Sequence, residues 1–323
     1  MLILQIFLLV FTTLLASSCN TPEVIVQKQS VIGISSSFMR GRTVPAPIYG
    51  ITLNDVSDAV RPGITQSILS LNHFPTSRIV FDSNMAANYY STPVNDLNSH
   101  TYIMGELLDS AFMTNFTVPQ YQARVQSYLS ALGDSVDIWE IGNEVNGGWL
   151  GSNTEDKVQV AYDLVSSQNR QTAVTFFWEG TSADQCWESP QNEMFAWINN
   201  MFQLNINPAQ RNPDRERLRL GLNYAMISWY PEGCANITPD WNSIFTQLAS
   251  IFPNAKVGFG ELGTHSPQFG STYEINLINQ YYPTANHSNL PSNFIGGYFW
   301  WNYASEMVPE SNPIFNVLNN SIR

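Results

Sequence analysis

The stretch "VDIWEIGNEVNG", residues 136–147, begins as an apolar strand and ends in an Asn-Glu pair flanked by glycines. Side chains on a strand alternate between two faces, so Glu140, Gly142 and Glu144 share one face. Only 12% of the chain is Asp, Glu, Lys or Arg, and an interior carboxylate needs a polar partner. Two glutamates on one buried strand therefore predict a polar site inside the protein, with Arg78 or another group from a neighbouring strand as the partner of Glu140.

Seven further β-rich runs occur along the chain, and stretches with helical patterns lie between most of them. The clearest helix, "DWNSIFTQLASIF" (240–252), repeats apolar residues at three- and four-residue steps after Asp240. Alternating strands and helices imply parallel pairing, and eight such units predict a single-domain α/β fold, the (β/α)8 TIM barrel. An open doubly wound sheet is the alternative, but no Gly-rich phosphate loop follows the first run. The runs are "VIGISSSF" (31–38), "SRIVFDSN" (77–84), "TYIMGELLD" (101–109), "VDIWEIGNE" (136–144), "TAVTFFWEG" (172–180), "LRLGLNYAMISWY" (218–230), "KVGFGELG" (256–263) and "FIGGYFWWN" (294–302).

Two acids end matching strands of this predicted barrel. Glu144 ends the fourth run and Glu261 the seventh. The carboxyl ends of TIM-barrel strands form the reactive face, so both side chains are expected at one mouth. Such a pair suits glycosidic bond cleavage, in which one acid protonates the departing oxygen and the other attacks or supports the anomeric carbon. The other interpretation is two solvated loop acids.

A family resemblance rests on these two segments. "WEIGNEV" (139–145) resembles the Asn-Glu signature of the clan A retaining glycoside hydrolases, and "VGFGELG" (257–263) resembles the seventh-strand segment that carries their nucleophile. The resemblance implies that Glu144 is the general acid/base, that Glu261 is the nucleophile, and that Asn143 hydrogen-bonds the sugar 2-hydroxyl. It implies a glycan partner and no cofactor.

Supporting residues match the clan less completely. Arg78 resembles the second-strand arginine near the nucleophile, and Tyr230 resembles the sixth-strand tyrosine that donates to it. Trp300 or Trp301 resembles the tryptophan on which the sugar ring stacks. Strand alternation lets only one of the two face inward, and we select Trp300. The alternatives are an ordinary ion-pair partner for Arg78 and core or loop aromatics for the others.

The other polar residues supply further candidate sugar ligands and give no signal for a metal site or an esterase. The four histidines show no metal-ligand spacing, so no metal site is expected, and no Gly-x-Ser-x-Gly elbow indicates an esterase or amidase. Ser228 stands where family 5 enzymes usually carry a histidine, which disfavours that family and leaves the family within the clan open. Further candidate sugar ligands near strand ends are Glu106, Glu179, Glu306 and Glu310, and His265 is a candidate to line the cleft.

The amino-terminal sequence predicts export. "MLILQIFLLVFTTLLASSC" (1–19) has the length and small-residue end of a signal peptide, and it is too short to anchor the mature chain across a bilayer. We expect an N-terminal extension over 20–30 and the catalytic barrel over 31–323. Residues 16–19 also resemble a bacterial lipoprotein cleavage box, in which Cys19 receives lipid; simple secretion is preferred.

The remaining cysteines and the composition fit an extracytoplasmic protein. Cys186 and Cys234 lie in neighbouring loops after the fifth and sixth runs and predict a disulfide in an oxidising compartment, with two separate buried thiols as the alternative. The net charge of -12 repels phosphate backbones and excludes nucleic acid. The 9 Trp and 14 Tyr suit flat-faced neutral sugars.

The sequence as a whole predicts a secreted, monomeric, retaining glycoside hydrolase that cleaves a β-linked polysaccharide or oligosaccharide. Endo action is preferred over exo action. The alternative is a non-catalytic carbohydrate-binding barrel on the cell surface.

Overall fold

Eight parallel strands pair in chain order and close into a barrel. The computed structural model describes residues 41–184, 186–187, 189–234, 237–264, 271–283 and 289–322. The predicted (β/α)8 fold is confirmed, and the doubly wound alternative is wrong because β8 pairs with β1. The strands are β1 Ile48–Leu53, β2 Thr76–Val80, β3 Tyr102–Glu106, β4 Ile138–Gly142, β5 Gln171–Phe177, β6 Tyr224–Trp229, β7 Lys256–Leu262 and β8 Gly296–Trp300.

The first barrel strand is β1, so the assignment of that strand to residues 31–38 was wrong. Residues 31–38 lie outside the described residues, as do the predicted signal peptide (1–19) and extension (20–30). Local signals argued against β1 because prolines precede it and Gly50 interrupts it. The glycine is required by packing: a Cβ at Gly50 would lie 2.5 Å from the ring of Phe299.

Helices cover the outside of the barrel, and their apolar faces follow the three- and four-residue spacing of the sequence. Asp240 caps one of them by accepting a hydrogen bond from Ser243 N at 3.2 Å, as the sequence predicted. The predicted sixth run begins too early because 218–221 end a helix that Asn212 caps. The helices are α1 Arg61–Leu69, α2 Ser91–Asn98, α3 Val118–Leu132, α4 Thr154–Ser167, α5 Met194–Phe202, α6 Pro213–Gly221, α7 Trp241–Ile251, α8 Thr272–Tyr281, α9 Tyr303–Glu306 and α10 Pro313–Ser321. Among the described residues, none of these helices is long and apolar enough to cross a membrane.

The barrel interior changes from apolar to polar toward the carboxyl ends of the strands. A cluster of buried apolar side chains, among them Met104, Ile138 and Met226, fills the lower interior. Two residues further along the same strands the interior side chains are polar. Because the apolar layer closes the barrel below them, the charged members of this layer pair with one another and with carboxyls at the mouth. This buried polar layer consists of Thr52, Arg78, Glu106, Glu140, Thr175 and Ser228.

Arg124 on α3 fixes the chain where β2 and β3 end. Its Nε donates to Leu107 O at 2.6 Å, and its Nη2 donates to Phe81 O at 2.7 Å and Asp82 O at 2.9 Å. The side chain is buried, so these carbonyl groups depend on the guanidinium for their hydrogen bonds.

Replacing Arg124 by methionine should lower the free energy of unfolding by about 2–4 kcal/mol, because buried carbonyl groups lose their donors. Urea denaturation of purified protein measures the effect. Arg217→Met is the matched control: the Arg217 side chain is 50% exposed, and its loss should cost about 1 kcal/mol or less. Equal losses for the two variants would contradict the assignment.

Candidate active site

One pocket of about 510 Å³ opens at the carboxyl ends of the strands. It is lined by residues at or just after the carboxyl ends of six different strands, β3 to β8, which is the reactive face of this fold. Five of the predicted site residues line it, and Arg78 lies in the buried layer and contacts Glu261. The five are Asn143, Glu144, Tyr230, Glu261 and Trp301.

Glu144 enters the pocket from a turn of the backbone just after β4. Its φ of 46° lies in the left-handed region, which is uncommon for a residue with a Cβ and is often found at functional sites. Its carboxyl accepts hydrogen bonds from two neutral hydroxyls, Ser228 Oγ at 2.6 Å and Ser110 Oγ at 2.9 Å. Burial of the carboxyl, followed by the charge of Glu261, raises the pKa of Glu144 to about 8. Glu144 therefore carries a proton at neutral pH.

Glu261, at the end of β7, has a different environment. Arg78 Nη1 lies 2.7 Å from its Oε2, the Tyr230 hydroxyl donates to its Oε1, and Asn143 Nδ2 donates to Oε2 at 3.3 Å. Burial raises the pKa of Glu261, while Arg78 and the Tyr230 hydroxyl oppose that rise by favouring the ionised form. A cation and two polar donors thus surround Glu261, whereas the hydrogen-bond donors to Glu144 among the described residues are neutral hydroxyls.

A short chain of hydrogen bonds connects the two carboxyls. Ser110 donates to Glu144 through its hydroxyl and to Asn143 Oδ1 through its backbone N–H at 3.0 Å. Asn143 in turn donates to Glu261. On the other side, Ser228 binds Glu144 and is the direct strand partner of Glu261 in the β6–β7 register. Both acids are therefore held at one mouth, linked through Ser110 and Asn143.

Arg78 is the cation of the buried layer and contacts three carboxyls. Its Nε lies 2.6 Å from Glu140 Oε2, and its Nη2 lies 3.1 Å from Glu106 Oε2, in addition to the contact with Glu261. Thr175 donates to Glu140 Oε1 at 2.5 Å. Glu140 thus has the interior partner that the sequence required. Burial lowers the pKa of Arg78, but the surrounding carboxylates outweigh burial and raise it well above its ordinary value.

The structure places Trp301 in the pocket, so the selection of Trp300 was wrong. Trp300 is fully buried on the helix side of β8, where its Nε1 donates to Glu306 Oε2 at 2.7 Å. Strand alternation failed because four consecutive residues of β8, from Gly296 to Phe299, have positive φ angles. A strand with that backbone does not direct successive side chains to opposite faces.

The other predicted candidates are dispersed. Glu179 lines the pocket, whereas Glu106 lies in the buried layer and Glu306 binds Trp300. Glu310 is not among the lining residues, and His265 lies outside the described residues. In the described part of the chain no group of three or more His, Cys, Asp or Glu side chains could hold a metal ion. Cys186 and Cys234 form the predicted disulfide, with Cα atoms 5.6 Å apart.

Sequence reasoning missed several pocket residues that lie in loops. Ser110 and Asp109 follow β3, Trp149 follows β4 and Thr264 follows β7. The rule that strand-end loops form the reactive face would have included all four, but nothing in the sequence separated them from their loop neighbours. Ser228 was noted only as the position that lacks a histidine.

Comparison with known proteins shows the fold. No protein-family model matches the sequence, and no curated protein matches it. Among solved structures, the chain is similar to the family 1 β-glucosidase of Thermotoga maritima, with a TM-score of 0.51 and 10% identity over 76% of each chain. Virulence factor SghA of Agrobacterium tumefaciens gives a TM-score of 0.51 and 9% identity over 80% of this chain and 88% of that one.

Gas2 of Saccharomyces cerevisiae is a further similar structure, with a TM-score of 0.50 and 12% identity over 85% of this chain. This chain spans 64% of that Gas2 chain, just under two thirds of its length. At such identities the similarity concerns the fold. The predicted resemblance to clan A glycoside hydrolases is confirmed at that level, since neighbours of this class share the eight-stranded parallel barrel.

Burial raises the pKa of Glu106 well above the ordinary value of 4.5, although the charge of Arg78 opposes the rise. The folded protein then holds a proton that the unfolded chain loses above that value, so stability falls as the pH rises. Glu106→Gln should remove this dependence. Relative to wild type it should gain about 1.4 kcal/mol of unfolding free energy per pH unit above about pH 5.

Urea denaturation at a series of pH values measures that gain. Glu232→Gln, at an exposed loop position, is the control and should leave the pH dependence of wild type unchanged. Parallel curves for Glu106→Gln and wild type would show that Glu106 is ionised in the folded protein.

Proposed function

We propose that the protein is a retaining glycoside hydrolase that cleaves β-linked glycans, with Glu144 as the general acid/base and Glu261 as the nucleophile. The observation that carries the proposal is the pairing of two acids at one mouth in unlike environments. The acid between neutral hydroxyls keeps its proton, and the acid beside Arg78 is favoured as the anion. Such a division of roles between two carboxyls is what glycosidic bond cleavage needs.

The reaction then follows from the geometry. Glu261 attacks the anomeric carbon as Glu144 gives its proton to the glycosidic oxygen, so the C–O bond breaks and a glycosyl ester forms. The ester removes the negative charge that raised the pKa of Glu144. Glu144, now ionised, takes a proton from water, and the water oxygen attacks the anomeric carbon and releases Glu261.

Retention is proposed over inversion because the contacts of Glu261 suit a nucleophile. An inverting enzyme leaves about 6.5–9.5 Å between its carboxyls for a water, whereas a retaining enzyme holds them about 5–5.5 Å apart. Here one serine hydroxyl, that of Ser228, bonds Glu144 from the position adjacent to Glu261. The Tyr230 and Asn143 donors also hold Glu261 in a fixed orientation, as suits a nucleophile.

The remaining parts of the proposal concern setting and substrate. The name of the Thermotoga β-glucosidase, a protein of the same fold, supports a β-linked glycan as the substrate. The Cys186–Cys234 disulfide supports an oxidising, extracytoplasmic location. We further propose that the enzyme acts inside glycan chains and is a monomer. Residues 1–19 are proposed as the signal peptide and residues 31–323 as the barrel domain.

Removal of either acid should strongly reduce glycan release while preserving the fold. Glu144→Gln should lower kcat by about 10²- to 10⁴-fold, and Glu261→Ala should lower it at least as much because no covalent ester can form. A panel of β-glucan, mannan, xylan and galactan with product sizing measures activity. Azide should restore turnover of an activated glycoside by Glu144→Ala and yield the β-azide, whereas Glu261→Ala should yield the α-azide.

Glu310→Gln is the matched control, because Glu310 is an acid outside the pocket lining, and it should keep wild-type activity. A wild type that binds glycans but releases no sugar from any member of the panel would favour a carbohydrate-binding barrel and overturn the hydrolase proposal. Release of a product with inverted configuration would overturn the retaining mechanism alone.

The pH profile of kcat/KM should be bell-shaped. Activity needs Glu261 ionised and Glu144 protonated, so the acidic limb lies above the ordinary glutamate value and the alkaline limb lies near pH 8. Because the Ser228 hydroxyl lowers the pKa of Glu144, Ser228→Ala should move the alkaline limb to higher pH. Ser250→Ala, at an exposed position on α7, is the control. An alkaline limb that Ser228→Ala leaves in place would contradict the assignment of the proton to Glu144.

A further inference from the structure

Trp149 is an exposed aromatic side chain at the pocket. Its side chain is 45% exposed to solvent, although burying an indole lowers the free energy of the folded protein. Among the large hydrophobic side chains of comparable exposure in the described part of the chain, it is the one that lines the pocket. It follows Glu144 by five residues, in the loop after β4. An exposed aromatic face at the mouth of a pocket is a surface for a ligand.

The surrounding residues hold this indole in place. The Trp149 ring packs edge-on against Phe177, with centroids 5.4 Å apart, and Phe177 packs in the same way against Trp187 at 5.6 Å. Asn146 fixes Phe177 from the backbone, since Phe177 N donates to Asn146 Oδ1 at 2.7 Å and Asn146 Nδ2 donates to Phe177 O at 2.8 Å. A Cβ at Gly147 would lie 2.5 Å from the indole. The Trp149 ring is therefore supported on its inner side.

A second aromatic face lies across the pocket. Trp301 follows β8, and β4 and β8 are four strands apart in the closed eight-stranded barrel, so their ends are on opposite sides of the mouth. Trp301 lies beside residues that contact Glu261. The Arg78 guanidinium is 6.0 Å from the Trp301 ring centroid, and Trp301 and Tyr230 both lie next to Gly263. The two carboxyls thus lie between one aromatic face near Glu261 and another that follows Glu144.

We infer that Trp149 forms the subsite for the leaving sugar, so that the substrate is a neutral glycan with a sugar on each side of the cleaved bond. This inference rests on the proposed function. Glu144 gives its proton to the oxygen of the departing group, and the departing group therefore lies on the Glu144 side of the pocket. A tryptophan there accepts the apolar C–H face of a sugar ring, and little side-chain entropy of the protein is lost on binding because the indole is already fixed.

Glu179 supplies a polar contact on the same side. It lies two residues after Phe177 and lines the pocket, and its carboxyl has no hydrogen-bond partner among the described residues. Burial raises its pKa with no ion pair to oppose the rise. A half-buried acceptor without a partner suits the hydroxyl groups of the leaving sugar. Together with Asp109 it places two further carboxyl groups on this side of the pocket, which disfavours negatively charged uronic acid units.

The test compares substrates with and without a leaving sugar. In a β-disaccharide fluoride the leaving group is fluoride, so the Trp149 side stays empty during formation of the ester. Trp149→Ala should lower kcat/KM about 10- to 100-fold on oligosaccharides of the cleaved glycan. It should leave kcat/KM on the matching gluco-, manno-, xylo- or galacto-configured fluoride within about twofold, a negligible change in barrier.

Two further variants and one control complete the experiment. Trp149→Phe should retain most of the oligosaccharide activity, and Glu179→Ala should lower oligosaccharide activity without affecting the fluoride. Phe74→Ala is the matched control, because Phe74 is 46% exposed and precedes β2 at the opposite end of the barrel; it should behave as wild type on both substrates.

The outcomes separate the two proposals. If wild type cleaves neither oligosaccharides nor fluorides, the proposed function is wrong, and the leaving-sugar subsite with it. If wild type cleaves both and Trp149→Ala affects them equally, or affects neither, the hydrolase proposal stands and the leaving-sugar subsite is overturned.

Discussion

The pairing of Arg78 with three carboxyls is the interaction on which the rest of the site depends. Glu140, Glu106 and Glu261 each lie within 3.1 Å of its guanidinium, and the arginine is fully buried. A buried charge is costly unless hydrogen-bonded partners surround it. The planar fork of arginine directs its donors along different lines, so one side chain can contact carboxyls from β3, β4 and β7. A lysine at this position would lack that geometry.

One cation among so many carboxyls leaves the site short of positive charge, and protonation makes up the difference. Glu106 holds a proton because its pKa is raised well above the ordinary range, and Glu144 holds one up to about pH 8. Glu261, with the Arg78 contact and the Tyr230 donor, is the pocket carboxyl best suited to remain an anion. The protonated state of the proposed acid therefore follows first from its burial and then from the negative charge of Glu261 beside it.

The sequence predicted the site residues that regular strands position, and it did not predict those that irregular strands or loops position. Glu144 and Glu261 were found because each ends a run whose apolar pattern is clear, and parallel strands bring such ends to one face. β1 was missed because prolines precede it and because Gly50, which packing against Phe299 requires, carries no local strand signal. Trp300 was chosen over Trp301 because alternation was assumed where β8 has positive φ angles. Ser110 and Trp149 lie in loops, and only the folded chain brings them to the carboxyls.

The two sides of the pocket are built in different ways, and this suggests how chemistry and specificity are divided. On the side that holds Glu261, the charge environment is set by a strand residue, because Arg78 of the buried polar layer contacts the Glu261 carboxyl. The side that follows Glu144 consists of loop residues, in which Trp149 rests on Phe177 and Trp187, and Trp187 adjoins the disulfide at Cys186. A change in those loops would alter which sugar the pocket accepts while the charges on Arg78 and Glu261 stay in place. A change in the buried layer would alter the protonation of both acids at once, because they share one short network of hydrogen bonds.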